Sequence, residues 1–401
     1  LPAACCPASI SLANSQSEFH LFDDKKSDSW LKNQEKLRIY RKSMLLLSFV
    51  ALNPLGMNKY ALISAKVSRF LLLTALILFV SCKDKTIRNP LAPTAVGTPW
   101  EVLVVLEKDL WDSPAGESIF SLLREDVPGL PQPESRFEIS RCDDDEFTGI
   151  LKPVRNIIQI EISDKYSEPK LFFYRDQWAS NQYVLRIVAP SEELFVFFVE
   201  RNAEIIISYF ELAERERSLQ YIRKTHNRAF SEKVYEQFGF KILVPGFMKL
   251  SKQADQFFWA SNYQNKKRQD MVIYTYPYTD KNTFTPEYLN AKRDSVMKIN
   301  IPGGPEGSYM STQEIDPPIF RGINVKGKFA AEIRGLWEVK GDMMGGPFVS
   351  LTRLDEVNQR VVTVEIFIYA PEEDKRNLLR HNEAALYSLE LPGEFELETE
   401  N

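Results

Sequence analysis

Beyond residue 100 the apolar positions fall into short runs whose period changes along the chain. Residues 100–107 (WEVLVVLE) are apolar almost throughout, the pattern of a buried strand. SPAGESIFSLLRED follows, with Ser113 placed to cap a helix and Pro114 at its first position. Residues 137–141, 156–162 (NIIQIEI) and 182–188 (QYVLRIV) read as further strands, the second with clear alternation. At Ala189-Pro190-Ser191-Glu192-Glu193 the pattern changes: Ser191 suits a cap, and the two glutamates suit the positive end of a helix. Leu194, Phe198, Ile205, Tyr209 and Leu212 then recur on one side, with Glu200, Arg201, Glu204, Glu211 and Arg215 opposite, which predicts one long helix to about Lys224.

A second half begins near Phe230. FKILVPGFMKL, FFWASNY and DMVIYTYPY are strand candidates, and TPEYLNAKRDSVMKI is a helix with Thr285 as cap and Pro286 first. After a loop at Pro302-Gly303-Gly304-Pro305, INVKGKFAAEIRGLWEVKG, GPFVSLTRLD and NQRVVTVEIFIYA give three or four more strands, and a helix runs from Ala370-Pro371-Glu372-Glu373 to about Leu389. The pattern predicts an α+β protein with an N-terminal half at 100–228 and a C-terminal half at 229–392. Each half should hold a mainly antiparallel sheet with flanking helices, and residues 393–401 form an acidic tail. IVAPSEELFVFFVERNAE and IYAPEEDKRNLLRHNEAA share a strand, an Ala-Pro turn, paired acids and a helix, so the halves are candidates for a pseudo-repeat.

Ahead of this body lies a different pattern. Lys59, Lys66 and Arg69 precede a continuous apolar run, Phe70–Val80, broken only by Thr74 and followed by Ser81-Cys82. A bilayer needs roughly 20 apolar residues, and this run is about half that, so 57–81 reads as a secretory signal and not a membrane span. A small residue directly before a cysteine resembles the lipobox of lipoprotein signal peptidase, with Phe79 where Leu is usual. Cys82 is therefore the expected lipidation site, carrying a diacylglycerol thioether and an acylated (palmitate-type) amino terminus. Two or more chains hold a protein firmly, at about 0.8 kcal/mol per buried CH2. Residues 82–99, rich in Pro, Thr and Ala, read as a tether. Residues 1–56 show no sustained period and start at Leu1, so they read as an upstream extension or a mis-assigned start.

Composition narrows the function classes. The 401 residues are 44% hydrophobic, 26% charged and 12% aromatic, which excludes wholesale disorder. Net charge is −5, and with no concentrated basic face no nucleic-acid partner is expected. Ten of the 50 basic and five of the 55 acidic residues lie in 1–81, so the part from Cys82 on is 40 basic against 50 acidic. An acidic body is repelled by anionic headgroups, so the membrane contact expected is through acyl chains. With such an anchor the expected location is the cell envelope, at the outer membrane facing the periplasm, with the cell surface as the alternative. Cys142 would be the other cysteine kept, so the fold stands without an intrachain disulfide.

Candidate chemistry concentrates in EIRGLWEVKGDMMGGPFVS, residues 332–350. On a strand Glu332, Arg334 and Leu336 share one face and Trp337 takes the other, while Gly341, Gly345 and Gly346 permit turns and close approach. One reading makes Arg334, Trp337, Asp342 and Met344 a wall that binds an envelope protein, glycan or peptide. The other makes the segment a hairpin whose ion pair and glycines satisfy local geometry. A hydrolase would instead use Glu332, Asp342 and Asp355 as acids, provided that two of them face each other across about 5–10 Å. Asp143-Asp144-Asp145-Glu146 lacks the glycine and spacing of a calcium loop. His226 and His381 lack neighbours at zinc-ligand spacing, and Ser308 lacks a G-x-S-x-G elbow. No metal or cofactor is expected. Tyr274, Tyr276 and Tyr278, with Trp259 nearby, suit either ligand stacking or packing within the sheet.

The stretches RDSVMKINIPGGPEGSYMST, AAEIRGLWEVKGDMMGGPFVSLT and EIFIYAPEEDKRNLLRHNEA, together with the lipobox at Cys82, resemble the domain of unknown function 4837 family of Bacteroidetes lipoproteins. The resemblance runs from about Thr98 to Pro392. It implies an envelope location, a lipid anchor and an α+β fold, and it implies no reaction. Relaxed lipoboxes like this one are familiar in such lipoproteins. The long segment before Met57 departs from the family's compact start.

Overall fold

The apolar run after Trp100 becomes β1 (Glu101–Val105) of a five-stranded sheet in a computed structural model, which describes residues 92–395. Its partners are β2 (Glu138–Cys142), β3 (Asn156–Ile162), β4 (Lys170–Arg175) and β5 (Tyr183–Ala189), in the order β2-β1-β3-β5-β4. The antiparallel expectation fails for this sheet. β1 pairs parallel with β2 and β3, β3 pairs parallel with β5, and β4 alone runs antiparallel, against β5. Parallel strands need crossovers, and α1 (Pro114–Leu123), capped by Ser113, provides the one between β1 and β2. Burial on both faces explains why β1 and β5 read as nearly continuous apolar runs.

The long helix expected after Ser191 is two helices, α2 (Glu192–Arg201) and α3 (Ala203–Thr225). Asn202 leaves helical geometry at φ −110° and ψ 14°, and its side-chain amide donates to the Phe198 carbonyl at 2.7 Å. Asparagine competes in this way with the backbone ladder, so the axis breaks there. Ile119, Phe195, Ile206 and Phe210 from α1, α2 and α3 pack on Val102, Val104, Ile158 and Leu185. Strand β4 escaped the sequence reading because KLFFYR is exposed at all but one position and shows no alternation.

The second sheet has eight strands: β6 (Lys249–Ala254), β7 (Phe257–Ser261), β8 (Arg268–Pro277), β9 (Tyr309–Thr312), β10 (Ile319–Val325), β11 (Lys328–Lys340), β12 (Gly345–Asp355) and β13 (Arg360–Tyr369). It is antiparallel throughout, in the order β10-β11-β12-β13-β8-β7-β6, with β9 on β11. Helix α4 (Arg228–Phe238) was not foreseen, and most of FKILVPGFMKL is irregular chain that buries Phe240, Ile242 and Val244. A Cβ at Gly246 would lie 1.9 Å from the Thr225 carbonyl oxygen, so this chain presses on the end of α3. Helix α5 (Pro286–Asn300) has the expected Thr285 cap, accepting from the Tyr288 amide. Helix α6 (Arg376–Glu383) passes into a 3-10 turn at Ala384–Ser388.

Helices cover both faces of this sheet. Leu289 and Met297 of α5 pack on Tyr274, Trp337 and Phe367 on one face, and Val234 of α4 and Leu379 of α6 pack with Ile273, Val349 and Val364 on the other. The protein is α+β. The Ala-Pro-acid turn follows β5 and β13 alike, but the likeness does not extend to strand order or pairing in the two sheets. Ordered contacts begin before Trp100, with Thr94 bridging to Ser180 and Val96 to Val154, and they continue to Phe395, whose ring meets Tyr235. Residues 1–56, the expected signal at 57–81 and Cys82 lie outside the described residues.

Candidate functional site

Strand alternation divides the segment that looked richest in chemistry. Glu332 and Arg334 lie on the β11 face that packs toward α6, whereas Trp337 lies on the opposite face, toward α5. The Trp337 indole N–H donates to the Ile368 carbonyl at 3.2 Å, and its ring meets Phe367 edge-on, 5.5 Å between centroids. A Cβ at Gly346 would sit 2.0 Å from that same Ile368 oxygen, so the Gly-Gly-Pro start of β12 exists to let strands approach under the indole. Asp342 sits in the turn that follows β11. Its carboxylate accepts from the Met343 amide at 2.7 Å and the Gly304 amide at 3.3 Å, which ties the turn to the Pro302–Pro305 loop. Met344 is half-buried, while Met343 is 98% exposed. The proposed wall of Arg334, Trp337, Asp342 and Met344 is therefore spread over two sheet faces and a turn. Met343 is the one exposed side chain among residues 332–350.

The three candidate acids are each engaged elsewhere. Glu332 accepts from Arg334 at 2.9 Å and from the Tyr387 hydroxyl at 2.8 Å. Asp355 is fully buried at the β12–β13 turn, where Arg360 and Asn358 donate to it at 2.9 and 2.8 Å. Asp342 serves its turn. Tyr274 and Tyr276 are buried against α5, with Tyr276 near Tyr288. The Ser308 hydroxyl donates to the Pro305 carbonyl, and His381 packs on Tyr221 with its pKa lowered by burial. Among the described residues no group of three or more His, Cys, Asp or Glu is placed to hold a metal ion.

What the structure does assemble is a buried ionic seam where α3 meets α6. Arg334 reaches Glu383 at 2.8 Å as well as Glu332, so one guanidinium serves two carboxylates. Arg215 of α3 stacks over the Tyr387 ring at 4.1 Å. One turn earlier Glu211 takes Arg380 at 2.6 Å and Arg136 at 3.0 Å, and Arg380 lies over the Trp100 ring at 4.3 Å. Glu134 accepts the backbone amides of Lys375 and Arg376, both at 2.8 Å, at the start of α6. Residues of both halves thus share one network.

Burial would push the Glu332 carboxyl up, but Arg334 beside it and the Tyr387 hydroxyl outweigh that and hold it below the usual range. Arg334 is held well above its ordinary value: burial opposes its charge, and Glu332 and Glu383 more than restore it. For Glu211 burial is likewise overcome, by Arg380 and then Arg136, bringing its pKa from 4.5 to about 2. A folded value below the unfolded one means that the stabilisation is complete above pH 4.5 and is lost as pH falls toward 2. The shift corresponds to about 3 kcal/mol. Urea unfolding midpoints should therefore fall more steeply in the wild type than in Glu211→Gln as pH is lowered through that window.

Residues 227–388 match the family model described as Domain of unknown function (DUF4837). Over these residues the C-terminal half is similar to that family. The DUF4837 match contains β11, β12 and the whole Arg334 cluster. It is narrower than the span from Thr98 suggested by the motifs, because residues 95–223 match a separate model, Domain of unknown function (DUF8532). No curated protein matches the chain. Among solved structures, the Saccharomyces cerevisiae Ran-binding protein Mog1p is similar at 10% identity and TM-score 0.26, over 38% of this chain and 92% of its own. A mutant of protein Mog1 is similar at 10% identity and TM-score 0.23, over 37% and 84%. Scores this low carry no argument. The DUF4837 half and its partner meet between residues 223 and 227, at the end of α3.

Proposed function

We propose that the protein is a lipid-anchored component of a bacterial cell envelope that binds or scaffolds a partner without catalysis. The observation that carries this is the arrangement ahead of the fold: basic residues, the apolar run Phe70–Val80 and then Ser81-Cys82, with eleven residues between that cysteine and the first strand bridge at Thr94. A run that short suits a cleaved signal, and among the described residues no helix is long and apolar enough to cross a membrane. The outer membrane is the membrane proposed, with the folded body in the periplasm or at the cell surface.

A hydrolase is the competing reading. Against it stands the engagement of Glu332, Asp342 and Asp355 with separate partners on β11, in the following turn and at the end of β12. Partner contact falls instead to exposed groups such as Met343. Cells fed labelled palmitate should incorporate it into the wild-type protein, and Cys82→Ser should abolish both the label and membrane association. An unlabelled wild type, or a serine variant that stays equally membrane-bound, refutes the proposal.

A further inference from the structure

Parallel sheets are ordinarily covered by helices on both faces. In the five-stranded sheet α1, α2 and α3 cover one face. The other face carries Leu103, Val105, Ile157 and Val184, and among the described residues its cover is loop chain: Phe147, Leu151, Val154 and Trp178 pack on it. Toward β4 even that cover ends. Phe172 and Tyr174 stand opposite Arg186 and Val184, hence on this same face, and they are 38% and 37% exposed. Ile150, in the loop that crosses the face, is 84% exposed. These are large apolar groups facing solvent on one side of the molecule.

The chain from the expected anchor arrives at this same loop. The Val96 amide donates to the Pro153 carbonyl and the Ser180 amide to the Pro93 carbonyl, at 2.9 and 2.8 Å, next to Val154 and Trp178. Eleven residues lie between Cys82 and Thr94. Even fully extended they span about 40 Å at most. The bilayer holding the anchor is thus always within reach of this face, and a tethered surface acts at high effective concentration, so a few apolar side chains suffice for contact.

We propose that this helix-free face lies against the bilayer, with Ile150, Phe172 and Tyr174 at headgroup depth, where aromatic rings with a polar tip are favoured. The proposal rests on the lipid-anchor reading above.

The test uses the mature lipidated protein, beginning at Cys82, in phosphatidylethanolamine–phosphatidylglycerol vesicles. Nitroxide labels are placed at Ile150→Cys and Phe172→Cys, and at Glu200→Cys on the exposed side of α2. Cys142 is buried and stays unlabelled. At positions 150 and 172, collisions with a water-soluble nickel chelate should fall several-fold and collisions with oxygen should rise, relative to position 200. Equal nickel access at all three positions overturns the proposal. So does shielding from both reagents at 150 and 172, which would indicate a protein partner or a second copy. Palmitate incorporation is measured on the same samples. Without it the anchor reading fails and this inference with it, whereas acylated protein with water-exposed labels refutes this inference alone.

Discussion

Arg293→Met should lower the stability of the folded chain by about 3–5 kcal/mol, the cost of leaving a buried carboxylate without its counter-charge. Arg293 and Glu365 are 2% and 0% exposed, joined by two bonds of 2.9 and 2.7 Å. The guanidinium also donates to the Thr312 hydroxyl at 2.9 Å and lies 3.7 Å over the Phe348 ring. Burial pushes the Glu365 carboxyl upward, and Arg293 beside it opposes that shift. The double variant Arg293→Met/Glu365→Leu removes both charges and fills similar volume. It should recover most of the loss, since apolar replacement of a whole buried pair is often neutral or stabilising by about 1–4 kcal/mol. Equilibrium denaturation of the two single variants and the double variant measures this. A double variant as unstable as Arg293→Met would mean that packing around α5, and not charge, sets the cost.

Arg334→Met is expected to cost a similar amount, about 3–5 kcal/mol, and to do so by loosening the seam between the halves. It strands Glu332 on β11 and Glu383 on α6 together, two carboxylates that would then repel. Amide protection in the second half of α3 and in α6 should fall more than in β12 and β13, because local opening follows the lost contacts. Adding Glu332→Gln and Glu383→Gln should return part of the stability. Uniform loss of protection across the eight-stranded sheet would contradict a role at the seam. For a ligand-contacting arginine the outcome differs: stability would change little and partner capture would be lost.

Several of these features could be read before any tertiary contact was known. The caps at Ser113, Ser191 and Thr285 declare helix starts because a side-chain oxygen and the amide that donates to it lie two or three residues apart. The alternation in β3 and the placing of Glu332 opposite to Trp337 follow from the two-residue period of a strand. Arg293 and Glu365 also left a trace. Arg293 sits on the apolar stripe Leu289, Arg293, Met297 of α5, and Glu365 interrupts an apolar strand between Val364 and Ile366. A charge on a buried stripe requires a partner, though its identity depends on which helix crosses which strand.

Elsewhere local pattern was insufficient. Strand β4 is held by its ladder to β5, and its exposed aromatic sequence has no period to betray it. The parallel pairing of β1, β2, β3 and β5 depends on how connections cross the sheet, which no window of sequence contains. The binding wall dissolved for a related reason. Spacing along β11 could show that Arg334 and Trp337 face opposite ways, but not that helices cover both faces and leave neither open.

By itself the sequence determined the α+β class, the helix starts capped by Ser113, Ser191 and Thr285, the strand faces of β3 and β11 and the apolar run that precedes Ser81-Cys82, because each depends on residues within a few positions of one another. The tertiary structure alone decided which acids meet which arginines, that α3 and α6 share an ionic seam, and that among the described residues one face of the five-stranded sheet has no α-helix over it. Those outcomes depend on contacts between residues separated by tens to hundreds of positions, where free energy is set by burial and counter-charge and not by local spacing.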